Sequence, residues 1–232
     1  MISSNQQKNK NLLRAVDTRL ANKWCLSPFW LVETDLDAEF NRKLFEEVFQ
    51  FYKDIDTGAS VKSDLIAYDS PTFKHLQNVI MSSVGDAVAD FENVSRPTSI
   101  SELVFEMCSA WITIMPPGEF YMMHTHPNAI LTGTYYISIP ENSGDFAFLD
   151  TQEMAIDPIN GKAKLVRVPP KEGNLVFFPA YVMHEVQKNN SNDVRISITF
   201  DLKLKENNLK VTDKNAARAI VDSYERYQVK AN

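Results

Sequence analysis

The chain has 232 residues, of which 44% are hydrophobic, and its net charge is −6. This size predicts one folded domain with a sizeable core, and the acidic balance argues against a nucleic-acid-binding surface. No apolar run is long enough to predict a membrane-spanning segment. The two cysteines, Cys25 and Cys108, form neither a metal motif nor a disulfide framework, which predicts a reducing, cytoplasmic setting.

Residues 1–100 are expected to form an N-terminal helical support. After a short apolar strand over 25–32, one helix is predicted over 35–54 and a second over 73–91. The second follows Asp69-Ser70-Pro71, a typical helix start. Each helix has a single apolar stripe, so both are interpreted as packing supports for the rest of the domain.

Residues 101–204 change in character to about eight short β-like runs separated by Pro, Gly and Asn. The predicted strands cover 103–114, 121–125, 131–139, 145–149, 164–168, 175–178, 185–187 and 195–204. This pattern predicts a mainly β protein with flanking helices (α+β), whose core is a double-stranded β-helix, a cupin-like jelly roll. Residues 205–232 are expected to add a C-terminal helix, over 212–228.

Three of the four histidines fall at the ends of predicted strands. His124 and His126 are separated by one residue, and alternate residues of a strand point to the same face. His184, on a distant strand, could complete a set of three imidazoles around one metal ion. Imidazole is a good ligand for Fe(II), Zn(II) and Ni(II), so the spacing favours a metal site over three surface histidines.

The run from Arg195 to Phe200 alternates polar and apolar residues, which places Arg195, Ser197 and Thr199 on one face of a strand. An arginine that points into a barrel is costly unless it meets an anion. A bound carboxylate and a salt bridge to an Asp or Glu both satisfy this requirement, and the spacing does not choose between them.

The motifs together resemble the Fe(II)- and 2-oxoglutarate-dependent oxygenases. The family pattern is His-x-acid, a Tyr-Tyr strand, Gly-x4-Phe-Pro, a second His and Arg-x-Ser, and the chain resembles it over about residues 104–201 apart from the acid. The sequence His184-Glu185-Val186 resembles the prolyl-hydroxylase-like branch. The strings over 124–128 and 132–136 are similar to oxygenases with a His-x-His-Pro-Asn motif.

The resemblance implies a role for each matching residue. His124 and His184 match the two histidine ligands, and Arg195 with Ser197 matches the pair that grips the distal carboxylate of 2-oxoglutarate. Tyr136 matches a second contact to that carboxylate. Thr132 and Thr134 are expected to line the same pocket, with Gly133 removing bulk from the opposite face. The implied cofactors are Fe(II), 2-oxoglutarate and O2, and the implied reaction is a hydroxylation that releases succinate and CO2.

One position departs from the family pattern, because His126 stands where an aspartate is usual. A three-histidine site can hold Fe(II), but it carries one negative charge fewer than a site with two histidines and an aspartate. Alternatively another residue supplies the carboxylate, with Asp145 and Asp150 as candidates, or the site holds a different metal.

Other functions on the same fold stay open. Gly118-x5-His124-x-His126 and Gly173-x5-Pro179 match parts of the two cupin motifs, although the expected glutamate after His126 is absent. A non-catalytic 2-oxoglutarate or metal sensor is favoured by His126 itself, and a closed zinc structure is the third alternative. The expected partner is a small-molecule or peptidyl substrate, and a homodimer is compatible with the sequence. Four residues near the strand ends, Trp111, Tyr121, Met122 and Tyr181, are candidates for a substrate pocket, with Trp111 interpreted as core.

Overall fold

The computed structural model describes residues 12–13, 29–54, 64–95, 104–149 and 165–205. Within these ranges the helices are α1 (Ala38–Asp54), a 3-10 turn (Leu65–Ala67) and α2 (Pro71–Ser95). The strands are β1 (Leu12–Leu13), β2 (Trp30–Glu33), β3 (Phe105–Met115), β4 (Tyr121–His124), β5 (Leu131–Ser138), β6 (Phe146–Leu149), β7 (Leu165–Val168), β8 (Asn174–Pro179), β9 (His184–Val186) and β10 (Arg195–Leu204).

The strands form two antiparallel sheets. The larger sheet has the order β1-β2-β8-β5-β10-β3, and the smaller has the order β4-β9-β6-β7. Consecutive strands alternate between the sheets over much of the core, as in a double-stranded β-helix. The predicted fold class is therefore confirmed.

The two helices cover the outer face of the larger sheet. Leu44 and Val48 of α1 and Leu76 and Ile80 of α2 are fully buried, in one apolar cluster with outer-face residues of the sheet such as Phe200. Burial of each such side chain stabilises the fold by about 1.5–3 kcal/mol. The apolar stripes seen in the sequence therefore act as packing supports, as predicted.

A second, smaller apolar cluster fills part of the space between the two sheets. It contains Tyr136 of β5, Phe146 and Phe148 of β6, and Val176 and Phe178 of β8. The remainder of that space is lined by polar side chains of the larger sheet and forms a cavity. Because strand side chains alternate, β5 and β10 contribute to the helix-packed core on one face and to this cavity on the other.

Several sequence predictions differ from the structure in detail. The strand predicted over 121–125 ends one residue earlier, at His124, and His126 lies in the following loop. The short strand β1 and the 3-10 turn were not predicted, because two and three residues are too short for a periodic signal. The predicted helix over 212–228 lies outside the described residues, and the division at residues 100 and 204 stays a prediction. No helix in the described ranges is both long and apolar enough to span a membrane.

Candidate functional site

A cavity of about 400 Å³ opens between the two sheets. Its lining includes His124, His126 and His184 at one end and Arg195 and Ser197 at the other. These residues, which sequence reasoning singled out, come from three separate strands and one loop and meet in one place.

The three histidines form a compact group. One ring nitrogen from each lies within 4.8 Å of the other two, a spacing that a single metal ion can bridge. His124 and His184 are cross-strand neighbours on β4 and β9, and their ring centroids are 4.2 Å apart. Because directly paired residues of antiparallel strands share a face, this register aims both imidazoles into the cavity.

His126 reaches the group from a loop rather than from strand alternation. Its backbone N–H donates to the carbonyl of Ala180 at 3.0 Å, and the N–H of Ala180 donates to the carbonyl of Ile130 at the same distance. These two bonds tie the loop after β4 to the loop before His184. The expectation that His124 and His126 share one strand face was therefore wrong, although their rings converge, with centroids 5.3 Å apart.

Each imidazole uses its Nδ1 atom in a hydrogen bond. The Nδ1 atoms of His124 and His184 lie 2.7 Å from the carbonyl of Met122 and 2.9 Å from that of Val182. The Nδ1 atom of His126 lies 2.7 Å from Oδ1 of Asp201. All three rings thus have their Nε2 atoms left to serve as ligands, which is the arrangement common in metal-binding histidines.

His184 is the most buried of the three ligand candidates, with 3% of its surface exposed. Burial lowers its pKa to about 3, so that the ring is neutral at ordinary pH. A neutral imidazole is the form that binds a metal ion. The donor set therefore fits a borderline first-row ion such as Fe(II).

The opposite end of the cavity holds a buried cation without a described counter-ion. Arg195 is 1% exposed, and its guanidinium donates to the backbone carbonyl of Gly144 at 2.6 Å. No carboxylate in the described ranges forms an ion pair with it, and its Nε atom has no hydrogen-bond partner. Burial lowers the pKa of Arg195, because holding its charge away from water costs free energy. Among the described residues, the salt-bridge alternative is therefore not what is found.

Tyr136 lies beside this guanidinium, with its ring centroid 5.5 Å from the Arg195 Cζ atom. Its hydroxyl is buried and unpartnered, and burial raises its pKa to about 12, so it remains a hydrogen-bond donor. Two unsatisfied buried donors side by side are unusual in a folded protein. They fit a carboxylate, whose oxygens would accept from both.

Hydroxyl side chains line the cavity between its two ends. Thr199 of β10 lies 3.0 Å from the Thr113 hydroxyl and 3.5 Å from that of Thr134. Ser197 pairs in register with Tyr136, while Thr132 lies at the histidine end. Thr132 and Thr134 both line the cavity. Gly133 faces the other side, where an added Cβ would lie 2.5 Å from the carbonyl oxygen of Val176.

Some residues have a different environment from the one predicted. Trp111 was interpreted as core but lines the cavity, with its ring stacked on His126 at a centroid distance of 6.0 Å. Asp145 is not part of the ligand group, and Asp150 lies outside the described residues. The residue missed by sequence reasoning is Asp201, which continues the inward-facing series of Arg195, Ser197 and Thr199 along β10.

Comparison with known proteins gives one family. Residues 109–201 match the family model described as "Putative 2OG-Fe(II) oxygenase". No curated protein matches the chain in sequence.

Three similar solved structures have the same fold. A prolyl-4-hydroxylase from Pseudomonas putida has a TM-score of 0.54 at 16% identity, covering 81% of this chain and 92% of its own. The epimerase SnoN of nogalamycin biosynthesis, in complex with Fe3+, alpha ketoglutarate and nogalamycin RO, has a TM-score of 0.55 at 16% identity, covering 80% and 82%. The carbocyclase SnoK from the same biosynthesis has a TM-score of 0.53 at 14% identity, covering 83% and 86%.

Proposed function

We propose that this chain, which belongs to the superfamily of 2OG-Fe(II) oxygenases, holds Fe(II) on His124, His126 and His184 and 2-oxoglutarate on Arg195. The reaction converts 2-oxoglutarate and O2 into succinate and CO2 and inserts one oxygen atom into a C–H bond of a second substrate. The observation that carries these assignments is the single cavity lined by three converging imidazoles and an unpaired, buried guanidinium.

The three histidines would bind the metal through Nε2, because their Nδ1 atoms are already hydrogen-bonded. When bound, Fe(II) supplies the redox chemistry that couples O2 activation to the decarboxylation of 2-oxoglutarate. The protein contributes fixed ligand positions, which lower the cost of organising the site.

Arg195 would bind the distal carboxylate of 2-oxoglutarate, with Tyr136 and Ser197 as additional donors. The hydrogen bond from Arg195 to the Gly144 carbonyl fixes one side of the guanidinium fork. An anion there would neutralise the buried charge and satisfy the Nε and phenol groups, which gives strong selectivity for a dicarboxylic acid. The phenyl rings of Phe146 and Phe178 line the cavity and restrict water near the reacting groups.

The second substrate would dock at the mouth of the cavity. Exposed apolar side chains cluster on the segments that carry the histidines: Tyr121, Met122, Ile130, Tyr181 and Met183. This rim fits a small molecule or peptidyl group with an apolar surface next to the oxidised carbon. Candidate substrates are tested by the increase in succinate release that they cause, and Tyr181→Ser should raise the concentration needed for half of that increase.

Calorimetry under argon tests the cosubstrate assignment. Wild-type protein loaded with Mn(II) should bind 2-oxoglutarate, and Arg195→Ala should weaken that binding by about 100-fold, since it removes one partner of a buried charge pair. Arg167→Ala is the matched control, because this exposed arginine of β7 carries the same charge. Equal affinity in wild type and Arg195→Ala would contradict the assignment. Absence of binding in the wild type would support the cupin alternative.

A non-catalytic sensor on the same fold is the second candidate, and the observation that favours it is His126 in place of a carboxylate. Succinate release coupled to O2 consumption separates the two functions, because a sensor binds 2-oxoglutarate without consuming it.

A reducing, cytoplasmic setting and a homodimer are further parts of this proposal. The free thiol of Cys108 is consistent with a reducing setting.

A further inference from the structure

The hydrogen bonds behind the three imidazoles differ in one respect. His124 and His184 each face a neutral backbone carbonyl, located two residues earlier in the chain. His126 faces the carboxylate of Asp201, from a strand 75 residues away in sequence. Within the described part of the chain, Asp201 is the one acidic residue in the cavity lining. The ligand group itself contains no carboxylate, but the carboxylate of Asp201 lies directly behind one of its members, His126.

The local hydrogen bonds fix the tautomer of His126. The Thr132 hydroxyl lies 3.2 Å from the Nδ1 atom of His126 and donates its hydrogen to the Phe200 carbonyl at 3.1 Å. Thr132 can therefore only accept from the ring, and an ionised Asp201 is also an acceptor. Two acceptors at Nδ1 require a proton on that atom, which leaves the Nε2 lone pair for a metal ion.

The register of the larger sheet places Asp201 where His126 needs it. Asp201 is paired with Thr132 across β10 and β5, and the β10–β3 pairing shifts directly after Asp201. His126 lies in a loop, where the backbone alone fixes a side chain less firmly than it does in a paired strand. The side chains of Asp201 and His126 are 18% and 10% exposed, so water screens this contact only weakly.

We propose that Asp201 is a positioning residue that orients His126 and returns one negative charge to a site whose three ligands are neutral. This inference rests on the proposed metal site and deepens it. Three imidazoles with one hydrogen-bonded carboxylate carry the same total charge as two imidazoles with a directly bound carboxylate. Asp201 is not itself a member of the converging group, so its action is exerted through His126.

Metal titration tests the proposal without reference to turnover. Asp201→Asn keeps the size of the side chain and an acceptor oxygen but removes the charge. Its affinity for Co(II) should fall by about 10–100-fold, and the visible absorption of bound Co(II) should shift. Asp86→Asn, on the exposed surface of α2, makes the same change in net charge and should leave both unchanged.

A double-mutant cycle separates positioning from a purely structural role. In a His126→Ala background, Asp201→Asn should change Co(II) affinity by less than about twofold, because the carboxylate has no ligand left to orient. A loss that persists in this background would overturn the proposal, as would wild-type affinity in Asp201→Asn alone. Failure of the wild type to bind Co(II) would instead overturn the proposed metal site itself.

Discussion

The two faces of β5 and β10 have different environments in this molecule. On the outer face, Phe200 and its neighbours are buried against the helices with apolar partners on every side. On the inner face, Arg195 and Tyr136 are just as buried but keep hydrogen-bonding groups without partners. Alternation along the same strands therefore separates side chains that stabilise the fold from side chains whose buried polar groups are left unsatisfied, at some cost in stability.

The largest effect is expected from overfilling the outer face. In Gly133→Ala, the new Cβ would lie 2.5 Å from both the Val176 carbonyl oxygen and the Phe200 ring, and backbone cannot move aside cheaply. The free energy of unfolding should fall by about 3 kcal/mol, measured by urea denaturation.

Gly85→Ala is the matched control for this change. Gly85 lies in α2 with nothing within 4 Å of the added atom, so the same substitution should stabilise the protein by up to about 1 kcal/mol. Similar effects at both glycines would contradict the packing described for the outer face.

Replacing a buried residue of the inner face should change the free energy of unfolding far less than overfilling the outer face. Arg195→Met removes an unpaired buried cation, which is favourable, and also its bond to the Gly144 carbonyl, which costs about 1–3 kcal/mol. These effects offset each other, so the free energy of unfolding without ligand should change by less than about 1 kcal/mol. Loss of more than about 3 kcal/mol in the same denaturation assay would mean that the guanidinium is structural.

A separate effect is expected from acid, and it comes from His184. The unfolded chain takes up a proton at this histidine near pH 6.5, whereas the folded, metal-free protein does so only near pH 3. Between these values the unfolded state binds more protons, so stability falls as the pH falls, by at most about 1.4 kcal/mol per pH unit. His184→Asn should reduce the slope of unfolding free energy against pH, and an unchanged slope would exclude His184 as its source.

Much of the fold could be predicted because its signals are local. The strand β10 was predicted with the bounds that it has, since alternation continues from Arg195 to Leu204 without a break. The same alternation places Asp201 in the cavity lining. Its partner, His126, comes from a loop distant in sequence, so no local sequence pattern predicts their hydrogen bond. The series of inward residues on β10 was the available signal, and it was followed only as far as Thr199.

The predictions for His126 and Trp111 were wrong for a common reason, because both depend on where the paired strands of a sheet end. His126 was expected to share a strand face with His124, but pairing of β4 with β9 stops at His124, and long-range hydrogen bonds to Ala180 fold the loop inward. Trp111 was interpreted as core, although it was also one of the four candidates for a substrate pocket. Its place opposite Thr199, on the cavity side of the edge strand β3, depends on a register that the sequence does not encode locally.

The paired bonds at Ala180 have a consequence for how the metal enters and leaves. They join the loop that carries His126 to the one that precedes His184, so opening either loop breaks hydrogen bonds to the other. Release of the ion should then be a single cooperative event, with two ligands departing together and the amides of His126 and Ala180 exchanging their hydrogens at one common rate.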